Sequence, residues 1–213
     1  MTKQKPLQQI YHLADECNWK SIQACGLLSA AQLLEHAGLD EWIRKHRVEN
    51  LQLPNGVLIR DQRPMPPAAL QRCLSVNLSP ADWYELLNGH VFFWIDLERL
   101  DRQRQACTTP QYIMTIDATR LLTHYASRAA VTPFNTGNAR RAAARRSFAS
   151  FVPYDTWINS GWTSEAAALG TKPRLLSHKP VELTIRDAVP DIFDFVIDQR
   201  RFKPDEPFVY PSR

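Results

Sequence analysis

His12, Glu182 and a group of arginines are the side chains of this 213-residue chain best suited to chemistry. His12 sits in Tyr11-His12-Leu13-Ala14, which reads as a strand running towards a short helix and then Gly26-Leu27-Leu28-Ser29. A histidine at a strand end, close to a helix N-terminus and a glycine loop, can meet a ribose hydroxyl or a phosphate. The plain alternative is a packed, hydrogen-bonded core histidine. Glu182 stands in Val181-Glu182-Leu183-Thr184-Ile185, where the apolar residues take one face of a strand and Glu182 the other. A carboxylate at mid-strand is disfavoured by propensity; facing a cleft it is a functional candidate, facing solvent it is trivial.

The arginines come in two groups. Thr132-Pro133-Phe134-Asn135-Thr136-Gly137-Asn138 leads into an alanine-rich stretch with Arg140, Arg141, Arg145 and Arg146, read as a helix capped by Asn138. Arg141 and Arg145 are four apart and share a face. A glycine loop feeding a helix beside arginines is a plausible anion cradle, and a solvated basic face is the alternative. Its glycines are too sparse for a phosphate loop or a dinucleotide fingerprint. Arg60 and Gln62 lie in the proline-stiffened loop from Arg60 to Pro67; they can address a ligand, or the loop can be ordinary surface. Cys17, Cys25, Cys73 and Cys107 have neither paired spacing nor a matching histidine cluster. No metal is expected, and reduced thiols in a cytoplasmic protein are.

Several elements must position these groups. Ser79-Pro80-Ala81-Asp82 is a helix start with a Ser cap, Pro at the first position and an acid at the third. Val91 to Ile95 is an apolar run suited to a strand buried on both faces. Asp96 and Asp117 each open a helix, and Tyr112 to Ile116 is a second central strand. Further helices are expected over 30–37, 41–47 and 68–74, a loop or lid over 160–171, and an extended proline-rich tail from about residue 203. The net charge of +4 and mean hydropathy of −0.36 describe an ordinary globule, too weakly basic to demand nucleic acid. Met1 to Pro6 lacks the apolar core of a signal peptide, and no stretch reaches membrane-spanning length. No repeat or composition break divides residues 1–213, so one α+β domain is expected; the oligomeric state is open.

These pieces together resemble an uncharacterised bacterial domain-of-unknown-function family over roughly residues 8–195. The resemblance rests on Tyr11-His12-Leu13-Ala14 with Trp19, Ile22 and Gly26-Leu27-Leu28-Ser29, on Val91-Phe92-Phe93-Trp94, and on Val181-Glu182-Leu183 with Val189-Pro190. The loops at Arg60 and at Thr132 to Asn138 add to it. More distantly, the order of motifs is similar to the ADP-ribosyltransferase fold, in its DNA-modifying toxin branch and the RNA 2'-phosphotransferases. That resemblance implies small mixed sheets forming a split core flanked by short helices, with NAD as substrate. It implies Glu182 as the catalytic carboxylate supporting an oxocarbenium-like ribosyl centre, and His12 on the NAD ribose. Trp94 or Tyr112 would stack on the nicotinamide. Arg141 or Arg60 would pair with the pyrophosphate, and Asn135 would line the nucleotide site. Nucleic acid or protein would be the acceptor. A non-catalytic module holding a nucleotide or RNA end, or an RNA 2'-phosphotransferase-like enzyme, are the alternatives.

Overall fold

Strand, helix and glycine follow one another at the start of the chain as their residue types dictate. The computed structural model describes residues 3–140 and 144–208. Strand β1 (Gln9–Asp15) leads through a 3-10 turn into helix α1 (Trp19–Cys25), which stops at Gly26 with φ +71°. A two-residue strand β2 (Leu27–Leu28) and helix α2 (Ala30–His36) follow, the helix capped by the Ser29 side chain. The hairpin β3 (Leu51–Gln52) and β4 (Leu58–Ile59) turns at Asn55-Gly56, and α3 (Pro67–Gln71) opens on a proline. Helix α4 (Pro80–Asn88) starts with a full capping box: Ser79 accepts from the Asp82 backbone and Asp82 accepts from that of Ser79. Next come β5 (His90–Trp94), α5 (Leu97–Gln105), β6 (Gln111–Asp117), α6 (Ala118–Tyr125) and β7 (Ala129–Thr132). Asp96 and Asp117 cap α5 and α6 through their side chains. The chain closes with β8 (Val152–Pro153), α7 (Tyr154–Ser160), α8 (Thr163–Leu169), β9 (Glu182–Arg186), β10 (Ala188–Val189) and β11 (Val196–Phe202).

The strands build one seven-stranded sheet in the order β11-β6-β1-β5-β9-β7-β8, all its pairs antiparallel, with two small two-stranded sheets beside it. The expected α+β class holds, while the core is one large antiparallel sheet rather than several small mixed ones. One face carries Ile10, Phe93, Met114 and Leu183 against α1, α6 and α7. The other is covered in two places, by α5 over Tyr11 and Ile113 and by α3 and α4 over Phe92 and Ala130. The join between β1 and β5 is the slightest in the sheet: its register is the pair Tyr11 and Trp94. Beyond that pair, towards Asp15, β1 parts from β5 while staying fully paired with β6.

Five sequence expectations need correction. Residues 41–47 do not form a helix; a 3-10 turn over Asp40–Trp42 gives way to bends. Residues 160–171 are not a loop but α8, set between Gly161 and Gly170, both at positive φ. The alanine-rich stretch is not helical where it is described: residues 138–140 are irregular, and Arg146 forms a parallel bridge with Leu74. Arg141 lies outside the described residues. The tail does not run straight out after 203. A turn brings Glu206 back to Lys203, and Phe208 packs on Phe202. Strand β5 is buried alternately rather than on both faces, since Phe92 and Trp94 point to the side that the helices cover only in part. No helix among the described residues is long and apolar enough to cross a membrane.

Candidate functional site

A cleft of about 160 Å³ opens along the second half of β1. Its floor is the second half of β1, its walls α1, β2 and the β3–β4 hairpin, and His12, Asp15, Ser21 and Arg60 supply its polar lining. The side chain of Asn18 holds the hairpin in place. It donates to the Leu58 carbonyl at 2.9 Å and accepts from the Leu58 amide at 2.7 Å, as a neighbouring strand would. Gly26 closes another wall. A Cβ there would lie 2.3 Å from the Pro190 carbonyl oxygen, so only glycine allows the approach that pairs Leu27 with Val189. The Gly26-Leu27-Leu28 and Val189-Pro190 motifs are far apart in the chain and are one contact in space.

His12 bridges the parted strands. Its Nδ1 lies 2.9 Å from the Phe92 carbonyl oxygen, and its ring leans on Phe93 at 5.6 Å. A carbonyl can only accept, so Nδ1 carries the proton. Burial, seconded by the positive charge of Arg60, pushes the imidazole down to about 4, so the ring is neutral near pH 7. Nε2 is therefore a bare acceptor. It has no protein partner among the described residues, and neither has the Ser21 hydroxyl.

Asp15 and Arg60 form the cleft's other polar group. Asp15 is 5% exposed, and Arg60 donates to it from Nε at 2.8 Å. Gln111, the register partner of Asp15 on β6, donates to the same carboxylate and accepts from Arg60 Nη2; Thr109 donates at 3.1 Å. Burial alone would raise the Asp15 carboxyl, but Arg60, Gln111 and Thr109 outweigh it and hold it below its ordinary range. The Arg60 guanidinium also reaches the Cys107 thiol, so it is engaged on more than one side. Asp15, Ser21, Thr109 and Gln111 went unremarked in the sequence. The one available signal was an acid ending an apolar strand.

Glu182 is elsewhere. It is the register partner of Trp94, which is the partner of Tyr11, so all three point to one face of the sheet. His12 follows Tyr11 and points to the opposite face. Glu182 faces neither solvent nor the cleft: it is 5% exposed and enclosed by the 132–138 loop. It accepts from the Thr132 hydroxyl at 2.7 Å, the Thr136 hydroxyl at 2.9 Å and the Thr136 amide at 3.2 Å. Burial raises the carboxyl to about 7 against those hydrogen bonds and Arg146. The protonated form fits as well. Thr132 Oγ1 also lies 3.0 Å from the Phe134 carbonyl, so it can accept from Glu182 and donate onward.

The remaining expected site residues divide between these two centres. Arg60 is at the cleft, tied to Asp15 rather than free for a pyrophosphate. Asn135 is in the loop that Glu182 holds, its side chain accepting from the Gly137 amide at 2.9 Å. Trp94 is beside Glu182, but its indole donates to Gln103 and packs under α5. Tyr112 stacks on Trp19 at 4.0 Å. Arg146, foreseen as flanking an anion, is buried instead; it donates to the carbonyls of Asn135, Asn138 and Ala144 and sits 4.8 Å over the Phe134 ring. The loop is thus cross-braced by its own arginine.

A family model described as a family of unknown function (DUF7002) matches residues 8–196, a stretch that takes in both centres. No curated protein matches the chain.

Proposed function

The chain belongs to this family of unknown function, and we propose that it is a nucleotide-binding module whose His12 cleft holds the ribose of NAD or a related nucleotide. The reading rests on one observation. A neutral imidazole, locked by Phe92, offers an unpartnered acceptor inside a cleft, and a ribose hydroxyl is a donor that answers it. The Ser21 hydroxyl supplies a second polar contact and the apolar wall covers the carbon face of the sugar. Glu182 does not line this cleft and Asp15 is engaged, so binding rather than transfer is assigned to it.

Titration calorimetry with NAD and ADP-ribose tests the assignment. Saturable heat is expected for the wild type, with affinity about tenfold weaker for His12→Phe. Absence of saturable heat with both ligands at about 1 mM overturns it.

A second reading is ADP-ribosyl transfer to nucleic acid or protein on an ADP-ribosyltransferase-like fold. It is favoured by the pairing of Trp94 with Glu182 and by a buried carboxyl held near 7. The bond from nicotinamide to ribose would break, the ribose carbon would join the acceptor, and nicotinamide would leave. Ligand would have to reach Glu182 from the face opposite His12. Labelled-NAD transfer onto a cell extract that is lost in Glu182→Gln would favour this reading over the module.

A further inference from the structure

We infer, building on the nucleotide-binding reading, that the His12 cleft selects an uncharged, hydroxylated ring: it takes the nucleoside part of a nucleotide and leaves the phosphate in solvent. The first ground is charge. The one guanidinium that lines the cleft is in direct contact with the one carboxylate that lines it, Nε of Arg60 standing 2.8 Å from Asp15. Gln111 and Thr109 donate to that carboxylate and Gln111 also accepts from Arg60, so the pair is closed on its inner side. The remaining titratable side chain, His12, is neutral near pH 7 because burial disfavours its charged form. A phosphate entering here would give up its hydration without meeting net positive charge.

The second ground is the kind of hydrogen bond on offer. His12 Nε2 accepts, the Arg60 guanidinium can only donate, and the Ser21 hydroxyl does either. That set suits vicinal hydroxyls, each of which donates and accepts. A phosphate dianion has only acceptors, and the His12 acceptor would face it unanswered. The third ground is size and surface. About 160 Å³ is well below the roughly 300–1,000 Å³ of clefts that enclose drug-sized ligands. One ring fits, against Ile22, Leu27, Leu33 and Val57; a dinucleotide must project outwards.

The experiment is calorimetric titration of the whole protein with adenosine and with adenosine 5'-monophosphate, each at about 50 and about 500 mM NaCl. Affinities within about threefold of each other, and the same within about threefold at both salt concentrations, are the expected result. Monophosphate bound more than threefold tighter, or weakened more than threefold by salt, overturns the inference while leaving nucleotide binding intact. No saturable heat with either probe overturns both. Asp15→Asn provides an independent arm, because it unmasks Arg60: monophosphate should gain about tenfold over adenosine in that variant. A folded Asp15→Asn protein without that gain, checked by its circular dichroism, also overturns the inference. The wild-type comparison stands if the variant does not fold.

Discussion

The His12 and Glu182 side chains point to opposite faces of the same sheet, and the protein treats these two polar groups in opposite ways. Glu182 has its oxygens engaged by Thr132 and Thr136, with a hydroxyl relay to Phe134 for the protonated form. His12 has one nitrogen engaged and one left over. A fully answered polar group holds structure together, because removing it strands its partners. A group with an unanswered atom beside a cavity is where a ligand lowers the free energy. The difference separates a carboxyl that braces a loop from an imidazole that can read a hydroxyl, although both have strongly displaced proton affinities.

The largest expected effect falls on the wall of the cleft. Gly26→Ala places a methyl against the Pro190 backbone at a positive φ, and should destabilise the protein by about 4 kcal/mol or more in urea unfolding. Gly38→Ala is the control. It has a similar φ but nothing within 4 Å of the added carbon, so about 1 kcal/mol is expected. Equal losses would mean that the Gly26–Pro190 approach contributes nothing beyond backbone conformation.

Glu182→Ala comes next. It strands the Thr136 hydroxyl and amide and leaves the Thr132 hydroxyl only the Phe134 carbonyl, for a loss of about 3 kcal/mol, while adenosine binding by the folded protein should stay within about twofold. Binding abolished in a folded Glu182 variant would break the separation between the two centres. His12→Phe keeps an aromatic ring against Phe93 but leaves the Phe92 carbonyl unpaired. About 1 kcal/mol of stability should be lost, with adenosine affinity falling about tenfold. A change confined to stability would return His12 to the status of a packed core histidine.

The smallest effect is expected in the pH dependence of the wild type, because the two centres oppose each other. His12 has its proton affinity lowered from 6.5 to about 4 on folding, so the unfolded chain binds more protons between those values and stability is lost as pH falls through that window. Glu182 is raised from 4.5 to about 7, so the folded chain binds more protons and stability is lost as pH rises through 4.5 to 7. Where the windows overlap the two trends offset. Glu182→Gln should therefore show stability that climbs from pH 4.5 to 6.5, and His12→Phe stability that declines over the same range, measured by urea unfolding at each pH. Parallel profiles in the two variants would contradict the assignment of opposite roles.

Local chemistry made much of the framework legible. The Ser79–Asp82 capping box, the Asp96 and Asp117 caps, and the stop at Gly26 each act within a few residues, so each could be read directly. Helix α8 was missed because Gly161 and Gly170, which bound it, are equally the marks of a loop. The reverse error came at residues 138–140 and 144–146, where alanine suggests helix. There Arg146 satisfies the carbonyls of the turn and pairs with the chain at Leu74, which no local propensity anticipates. Among the site residues, His12 and Arg60 share a cleft, while Trp94, Asn135 and Glu182 gather on the other face.

What the amino-acid sequence determined by itself is therefore what acts at short range: the existence of β1, β5, β6 and β9, the caps of α4 to α6, and the glycine that only one backbone conformation accepts. It also carried the motifs of a family of unknown function across most of the chain. What the tertiary structure decided is which of those groups meet. Side chains alternate along a strand, so one residue of register sets whether a group faces one layer or the other. The pairing of Tyr11 with Trp94, and of Trp94 with Glu182, places Glu182 back to back with His12. The cleft takes shape where α1, β2 and the β3–β4 hairpin come to rest along the second half of β1, with one histidine nitrogen unanswered, and that meeting is a property of the assembled fold rather than of any one strand.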